Sequence, residues 1–494
     1  MTRDATALYN AYAARDARFD GVFFIGVTST GIYCRPVCTA KTPKAGNCRF
    51  FQSAAEAEKA DFRPCLRCRP ELAPGTAPVD DAHRIAGMVA QRIDEGMVGD
   101  GAGLEAVAAR FGWSSRQIRR IVQRELGVSP IELVQTRRLL LAKQLLTETA
   151  LPISEVAFAS GFASLRRFND AFSGNYGMPP TRFRKTTEGG ENATAAETLT
   201  LQLTYRPPFD WEGMLRFLGA RAVAGVEQVT SDEYLRTVQL GKHRGWIRVR
   251  HHGGRRTLAV ELAHSLTPVL PALLGRLRHV FDLSARPDII AAFLAADPDL
   301  AGAVERNPGL RVPGAFDGFE LAVRAILGQQ VTVKGASTLG GRFAAALGAS
   351  AKTPWAALTH LAPTPRRVAE STPGEIASLG IIRSRAVAIV TLAREIVSGR
   401  LTLEAGADPA VTIAQLVALP GIGAWTAEYI AMRALRWPDA FPRDDVVLRK
   451  RLGGVSAAQA EMRSQRWRPW RSYATLHLWQ NPEVDLPPPT TRGA

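Results

Sequence analysis

All five cysteines of the chain, Cys34, Cys38, Cys48, Cys65 and Cys68, lie within its first 68 residues. Four of them stand in two short pairs, Cys34-x3-Cys38 and Cys65-x2-Cys68, with 26 residues between the pairs. Each pair can chelate one ion and the intervening loop can bring the pairs together, which is the spacing of a tetrathiolate metal site. Zn2+ suits four soft thiolates and brings no redox chemistry of its own. In a reducing compartment such clustering argues for a metal or for reactive thiols rather than for disulfides. Cys48 stands outside the pairs and is expected to be a small thiol without a role. A second stretch with chemistry in it is Leu419-Pro420-Gly421-Ile422-Gly423-Ala424-Trp425-Thr426-Ala427. It reads as a tight glycine hairpin opening a helix, whose backbone N–H groups can hold a phosphate whatever the base sequence. A pair of carboxylates, Asp444-Asp445, follows it, with Asp445 22 residues after Gly423.

These groups need elements to hold them. Residues 1–72 form a small cysteine-bearing unit that is too small to rely on its core alone. The run Ala73-Pro74-Gly75-Thr76-Ala77-Pro78 reads as a linker, residues 80–185 are helical in period, and 186–192 read as a second linker. Alternation at 199–205, 246–250 and 257–262 predicts strands, with a helix near 211–220 between them. From about residue 268 to 480 the period is again helical. Within 80–185 one pattern occurs twice. Leu104–Gly112 is a helix ended by glycine, and Ser114 can cap a following helix that carries Arg116, Gln117, Arg119, Arg120 and Arg124. Ile153–Gly161 repeats it, leading through Ser164 to a helix with Arg166, Arg167 and Asn169, and an apolar helix around 131–146 joins the two units.

The net charge is +16, and residues 1–190 and the remainder are both basic. Basic charge spread over folded units favours a polyanionic partner. Hydrophobic residues make up 46% and charged residues 22%, an ordinary globular composition, and the 494-residue length fits about three or four domains. No apolar run approaches the roughly 18–20 residues that span a bilayer, and no secretory core opens the chain. The expectation is a soluble, intracellular protein with no membrane partner.

Thr30-Gly31-Ile32-Tyr33-Cys34-Arg35-Pro36-Val37-Cys38 and Phe62-Arg63-Pro64-Cys65-Leu66-Arg67-Cys68-Arg69-Pro70 closely resemble the Ada N-terminal domain. The resemblance implies that one Zn2+ is held by Cys34, Cys38, Cys65 and Cys68, and that Cys34 accepts a methyl group from a methylphosphotriester in DNA. Metal coordination keeps a thiol deprotonated and nucleophilic, and the thioether product makes the reaction a single turnover. Arg35, Arg63, Arg67 and Arg69 are the candidates for phosphate contacts. Without the resemblance, the same spacing fits a zinc knuckle that only holds the fold.

The duplicated helical pattern resembles the AraC-type DNA-binding domain. That implies two recognition helices about one DNA turn apart, carrying Arg116, Arg119 and Arg120 in one and Arg166 and Arg167 in the other.

The hairpin with its downstream aspartate resembles the helix-hairpin-helix glycosylases. The wider match, over about 197–480, looks like 3-methyladenine DNA glycosylase II (AlkA). It includes Tyr205–Trp211, Arg324–Val331 and Trp467–Tyr473. The resemblance implies that Asp445 is the catalytic carboxylate and Asp444 a helix cap. It implies that Trp425, Tyr429, Trp479 and Phe217 form a pocket for a flipped base, and that Gly421, Gly423 and Thr426 meet DNA. Gln330 falls where the family inserts a leucine into the gap left by the base. It also implies a monovalent cation on the hairpin carbonyls. Bifunctional relatives carry a lysine where Trp425 stands, so no Schiff base is expected there. No cysteine follows Cys68, which excludes the alkylguanine transferase that often continues Ada proteins.

The expected fold class is therefore multidomain and mainly α with α+β parts. Residues 1–72 form a small zinc-bound α/β domain and 80–185 an AraC-like double helix-turn-helix. Residues 197–280 form a β-rich AlkA N-terminal domain and 281–485 an all-α helix-hairpin-helix glycosylase domain. The expected function is repair of alkylated DNA, with double-stranded, alkylated and promoter DNA as partners and RNA polymerase as a further one. The alternative is a methylation-responsive transcription factor with a silent glycosylase scaffold.

Overall fold

In this computed structural model, residues 5–74, 114–187, 198–404 and 407–480 are described, with isolated positions at 89–90, 92–93, 103–105 and 108. Most of the leading helix expected at 104–112 and most of both linkers lie outside the described residues.

The front unit is built on a four-stranded sheet of order β3-β1-β2-β4: β1 Phe24–Val27, β2 Ile32–Cys34, β3 Cys48–Phe51 and β4 Arg63–Pro64. The parallel pairing of β2 with β4 brings the cysteine pairs together. Tyr33 lies opposite Pro64, and Cys65 N–H donates to the Tyr33 carbonyl at 2.9 Å. Cys34 thus ends one strand while Cys65 follows its neighbour.

The helices of the expected double unit are Ser115–Leu126, Pro130–Glu148, Ile153–Ala159, Leu165–Tyr176 and Pro180–Thr187. Both candidate recognition helices start at a serine. Ser114 forms a reciprocal capping box with Gln117, and Ser164 accepts the Arg167 N–H. The helix Pro130–Glu148 is the centre of the molecule rather than a simple connector. Towards the front unit, its Thr136 hydroxyl donates to buried Glu58 at 2.7 Å, its Lys143 pairs with Glu71, and its Glu148 pairs with Arg69 at 2.9 Å. Towards the next sheet, its Gln144 amide donates to the Gln202 carbonyl at 3.0 Å, while Glu148 accepts the Gln202 N–H at 3.0 Å.

That sheet has five antiparallel strands in the order β5-β9-β8-β7-β6. β5 Thr198–Thr204, β8 His243–His252 and β9 Thr257–Ala263 match the alternation in sequence. β6 Glu227–Val229 and β7 Glu233–Leu240 were not anticipated. Their pattern is masked by charge, because Arg236 of β7 is buried between Glu227 at 3.8 Å and Glu320 at 2.8 Å. The remainder is helical, and the site below rests on the helices Gly318–Leu327, Val333–Leu347, Arg383–Val397, Pro409–Val417, Ala424–Arg433, Val446–Arg451 and Arg471–Gln480.

The front unit is also locked to the back half. Arg206, wholly buried, donates to the Asp20 carbonyl at 2.9 Å and to the Ser284 carbonyl at 2.7 Å. Gly21 beside it has φ +74°, and a Cβ there would lie 2.0 Å from the Pro74 carbonyl oxygen, so only glycine fits this joint. Among the described residues no helix is long and apolar enough to cross a membrane.

Candidate functional site: a four-thiol cluster and an indole-held carboxylate

The sulfurs of Cys34, Cys38, Cys65 and Cys68 all lie within 4.8 Å of one another. A tetrahedral ion with bonds of about 2.3 Å needs sulfurs roughly 3.8 Å apart, so the cluster fits a thiolate-bound metal after a small contraction. Packed this closely, four sulfurs cannot all be charged without a cation among them. Hydrogen bonding to Cys38 and the other thiols, with burial, pushes the Cys34 thiol up, while hydrogen bonding to Cys34, Cys38 and Cys68 pushes Cys65 down. The surrounding chain feeds the cluster with donors, as Arg35 N–H points at Cys68 Sγ at 3.3 Å and Lys143 reaches the Cys65 carbonyl at 3.3 Å. Cys34 itself is buried to 5% exposure. Cys48 sits apart from the four, half-buried, its sulfur 3.6 Å from the Lys44 carbonyl.

The four arginines of this unit divide into two kinds. Arg67 and Arg63 are exposed. Arg35 is buried, its guanidinium paired with Asp20 and donating to the Cys68 carbonyl at 3.1 Å. A phosphate contact from Arg35, as expected from the sequence, would require this internal pairing to open. Arg69 is held by Glu71 and Glu148. In the double helical unit, Arg116, Arg119, Arg120, Arg166 and Arg167 are all exposed on their helices. Arg119 approaches Glu105 at 3.5 Å and Arg166 approaches Asp170 at 3.9 Å.

In the back half, the hairpin joins Pro409–Val417 to Ala424–Arg433. Gly421 has φ +80°, and a Cβ there would lie 3.1 Å from Ala388. Gly423 begins the second helix with no side-chain cap, which leaves its first N–H groups for a ligand. Thr426 does not face outward. Its side chain is buried and its hydroxyl accepts the Gln329 amide at 3.0 Å, which leaves the backbone N–H as the group Thr426 could offer to DNA. Gln329 also donates to the Gly421 carbonyl at 2.8 Å, and its own carbonyl accepts from Arg385. Sequence reasoning did not single out either residue. Together they pin the loop whose next residue, Gln330, is exposed at φ +53°.

Asp445, not Asp444, caps the helix Val446–Arg451, its Oδ1 accepting the Leu448 N–H at 2.8 Å. Asp444 is exposed, with Arg443 4.0 Å away. Two indoles complete the shell of Asp445. Trp425 Nε1 donates to Oδ2 at 2.9 Å, and Trp479 Nε1 donates to Oδ1 at 3.1 Å. The Leu448 N–H at a helix N-terminus and two indole N–H groups thus hold one carboxylate, with no cationic partner among the described residues.

The aromatic residues lie together around this group. Trp425 and Tyr429 are stacked with centroids 5.4 Å apart and planes at 10°. A base between two rings needs roughly 7 Å, so it cannot enter there. Tyr429 and Trp479 instead form a wedge, 6.3 Å apart and inclined at 44°. Behind it, buried Phe217 is faced by Arg221 at 3.8 Å and Arg433 at 5.0 Å. Arg433 donates to the Tyr429 hydroxyl at 2.6 Å and to the Pro313 carbonyl at 2.8 Å. Burial alone would push the Tyr429 phenol up, but the guanidiniums of Arg433 and Arg221 bring it below its ordinary value. Arg433 was missed in the sequence, although its position one turn after Tyr429 was the available signal.

Four family profiles match in chain order. They are the metal binding domain of Ada over residues 7–71, a helix-turn-helix domain over 107–186, the AlkA N-terminal domain over 200–317, and the HhH-GPD superfamily base excision DNA repair protein over 323–472. The third runs past residue 280, where the sequence reading placed a boundary. The chain is 38% identical over 277 residues to DNA-3-methyladenine glycosylase 2 of Escherichia coli, covering 56% of this chain and 95% of that one. In fold it is similar to the 3-methyladenine DNA-glycosylase structure from Archaeoglobus fulgidus, with a TM-score of 0.50 and 21% identity over 56% of this chain and 97% of that chain. It is 40% identical over 502 residues to the "Probable bifunctional transcriptional activator/DNA repair enzyme AlkA" of Mycobacterium tuberculosis, with 99% of both chains covered. The chain therefore belongs to the AlkA family of bifunctional transcriptional activator/DNA repair enzymes.

Proposed function

We propose that this chain excises alkylated purines such as 3-methyladenine from double-stranded DNA, as a monofunctional glycosylase of the DNA-3-methyladenine glycosylase II type. The observation that carries this reading is Asp445, an anion held by three N–H donors beside an aromatic wedge. A ring-alkylated purine is cationic and leaves readily. As its bond to C1′ of the sugar breaks, the sugar becomes oxocarbenium-like, and a fixed carboxylate stabilises that charge while water adds. The base lies against the Tyr429–Trp479 wedge with Phe217 behind it, and Gln330 enters the gap it leaves. The hairpin N–H groups at Gly421 and Gly423 hold a backbone phosphate, and hairpin carbonyls are the place for a monovalent cation. An intact Asp445 within its donor shell favours turnover over a silent scaffold.

At the front, we assign Cys34, Cys38, Cys65 and Cys68 to one Zn2+, which when bound keeps the thiols ionised. Cys34 Sγ then attacks the methyl carbon of a methylphosphotriester, forming S–CH3 as the C–O bond breaks and the phosphodiester anion leaves. Arg67 and Arg63 are the phosphate contacts. Methylation removes negative charge near DNA, tightening promoter binding through Arg116, Arg119, Arg120, Arg166 and Arg167 and engaging RNA polymerase. The setting is the bacterial cytoplasm, at the nucleoid.

The test is release of free 3-methyladenine and 7-methylguanine from methylated duplex by the full chain, beside Asp445→Asn. Release should fall by about a hundredfold or more in the variant, with DNA binding retained. Equal release by both removes Asp445 from the role, and no release by either returns the protein to a regulator.

A further inference from the structure

The two tryptophans at the carboxylate present edges as well as faces. Each oxygen of an ionised carboxylate offers about two acceptor sites. Oδ1 of Asp445 takes Leu448 N–H at 2.8 Å and Trp479 Nε1 at 3.1 Å, so both of its sites are filled. Among the described residues Oδ2 takes Trp425 Nε1 at 2.9 Å alone, so its second acceptor site faces away from the donor shell. Trp425 is fixed in turn by its stack on Tyr429, whose hydroxyl is held by Arg433. Trp479 leans on the same Tyr429 ring. The orientation of the carboxylate is thereby tied to the aromatic cluster, and without those two donors it would hang on the Leu448 N–H alone, with Oδ2 unfixed. Arginine or lysine partners would neutralise the anion, whereas neutral N–H donors orient it and leave its charge intact.

We propose that Trp425 and Trp479 are positioning residues for Asp445. Through their N–H groups they fix the carboxylate so that Oδ2 is the oxygen presented to the developing cationic sugar. This inference rests on the reading of Asp445 as the group that stabilises that cation. It differs from a role in stacking the base because it acts on the sugar, and so it persists when no base is present.

Abasic duplexes separate the two roles. One duplex carries a neutral tetrahydrofuran in place of the sugar, and its twin carries a pyrrolidine whose protonated nitrogen stands for the cationic sugar. The ratio of the two dissociation constants reads the field of the carboxylate and is blind to base stacking. The full chain should prefer the pyrrolidine duplex, and Asp445→Asn should abolish that preference. Trp425→Phe and Trp479→Phe should each reduce it by about fivefold or more, because one charge-assisted hydrogen bond is lost. Circular dichroism spectra of the variants should match that of the parent chain, which certifies the fold. If either phenylalanine variant fails that check, replacing the indole by the isosteric benzothienyl side chain removes the N–H alone and should give the same reduction. Variants that keep the full preference while releasing less base would overturn the proposal, because the rings would then serve only the base. A wild-type chain that releases methyladenine yet shows no pyrrolidine preference would also overturn it, while leaving excision standing. A wild-type chain that shows neither would overturn both readings.

Discussion

The two reactive centres solve opposite electrostatic problems. The front site crowds four acidic thiols within 4.8 Å, where each ionisation opposes the next. The back site holds a single carboxylate and surrounds it with N–H donors. The first needs a cation to exist as a set of anions. The second needs the absence of one, since a bound cation would cancel the charge the reaction uses. Their supports differ in the same sense. The backbone carbonyls of Cys65 and Cys68 are engaged by Lys143 and Arg35, and those cations are themselves paired with Glu71 and Asp20. The carboxylate is held by aromatic rings and a helix end. The front centre should therefore fail through loss of charge balance, and the back centre through loss of orientation.

Metal removal is the largest expected effect. A structural tetrathiolate zinc site contributes on the order of 10 kcal/mol to the fold that holds it. Cys38→Ser, or a strong chelator, should lower the protein's zinc content and expose the front unit to hydrogen exchange. Because Arg206 bridges Asp20 and Ser284, faster exchange should reach the segment around Ser284 in the back half. Exchange confined to residues below 75 would show that the two halves are energetically separate, and the comparison would lose its structural link.

Much of this contrast was legible in the sequence, and the reason lies in where the parts sit. The sulfur ligands come as two short pairs, so spacing alone reveals them. The hairpin, Asp445 and the serine caps at Ser114 and Ser164 are likewise local signals. The donor shell of Asp445 is not local, since Trp425, Asp445 and Trp479 belong to three segments that only the tertiary fold brings together. The roles of Asp444 and Asp445 were partly misread because cap and catalytic candidate are the same residue, and adjacency cannot say which of two aspartates faces the helix. The internal pairing of Arg35 was hidden for a related reason. A motif rich in arginine suggests phosphate, but its buried partner Asp20 lies 15 positions upstream. β7 escaped because buried Arg236 breaks its alternation, its charge being offset by Glu227 and Glu320 from other segments.

The next effect sharpens the claim that the front centre depends on paired charge. Lys143 and Glu71 are both buried to 1% exposure and directly paired. Lys143→Met leaves Glu71 without its main partner in a dry site, which should cost about 3–5 kcal/mol in chemical denaturation. The double variant Lys143→Met/Glu71→Leu should recover most of that loss. A single variant that is as stable as wild type would mean that the pair is solvated and not a support for the cysteine loop.

The back half should show a milder dependence on pH. His477 lies on the helix that carries Trp479, its buried Nδ1 has no partner among the described residues, and burial pushes it down to about 4. Burial also lowers His279. A histidine depressed in the folded state binds a proton more readily once unfolded. Its stabilising contribution is present above the ordinary value near 6.5 and is lost as pH falls toward about 4. The full loss from His477 is roughly 3 kcal/mol. Urea midpoints measured between these limits should fall with pH, and His477→Leu should flatten the slope. An unchanged slope in the variant would place the sensitivity elsewhere, His279 being the next candidate.

The smallest effect separates the two kinds of arginine in the front unit. Arg67 is exposed and can meet a phosphate without disturbing anything behind it. Arg67→Ala should leave the unfolding midpoint in place and weaken DNA binding similarly across sequences. The slope of log affinity against log salt should decrease by about one phosphate contact. Arg35→Ala should do the reverse. It strips Asp20 of its partner and the Cys68 carbonyl of a donor, so it lowers stability and zinc retention before it touches the salt slope. If Arg35→Ala changed only the salt slope, its buried pairing with Asp20 would not be the state that meets DNA, and the front unit would have to open around Asp20 on binding. The contrast between the two variants thus asks whether the sulfur centre meets its substrate as a rigid body, as the indole-held carboxylate must.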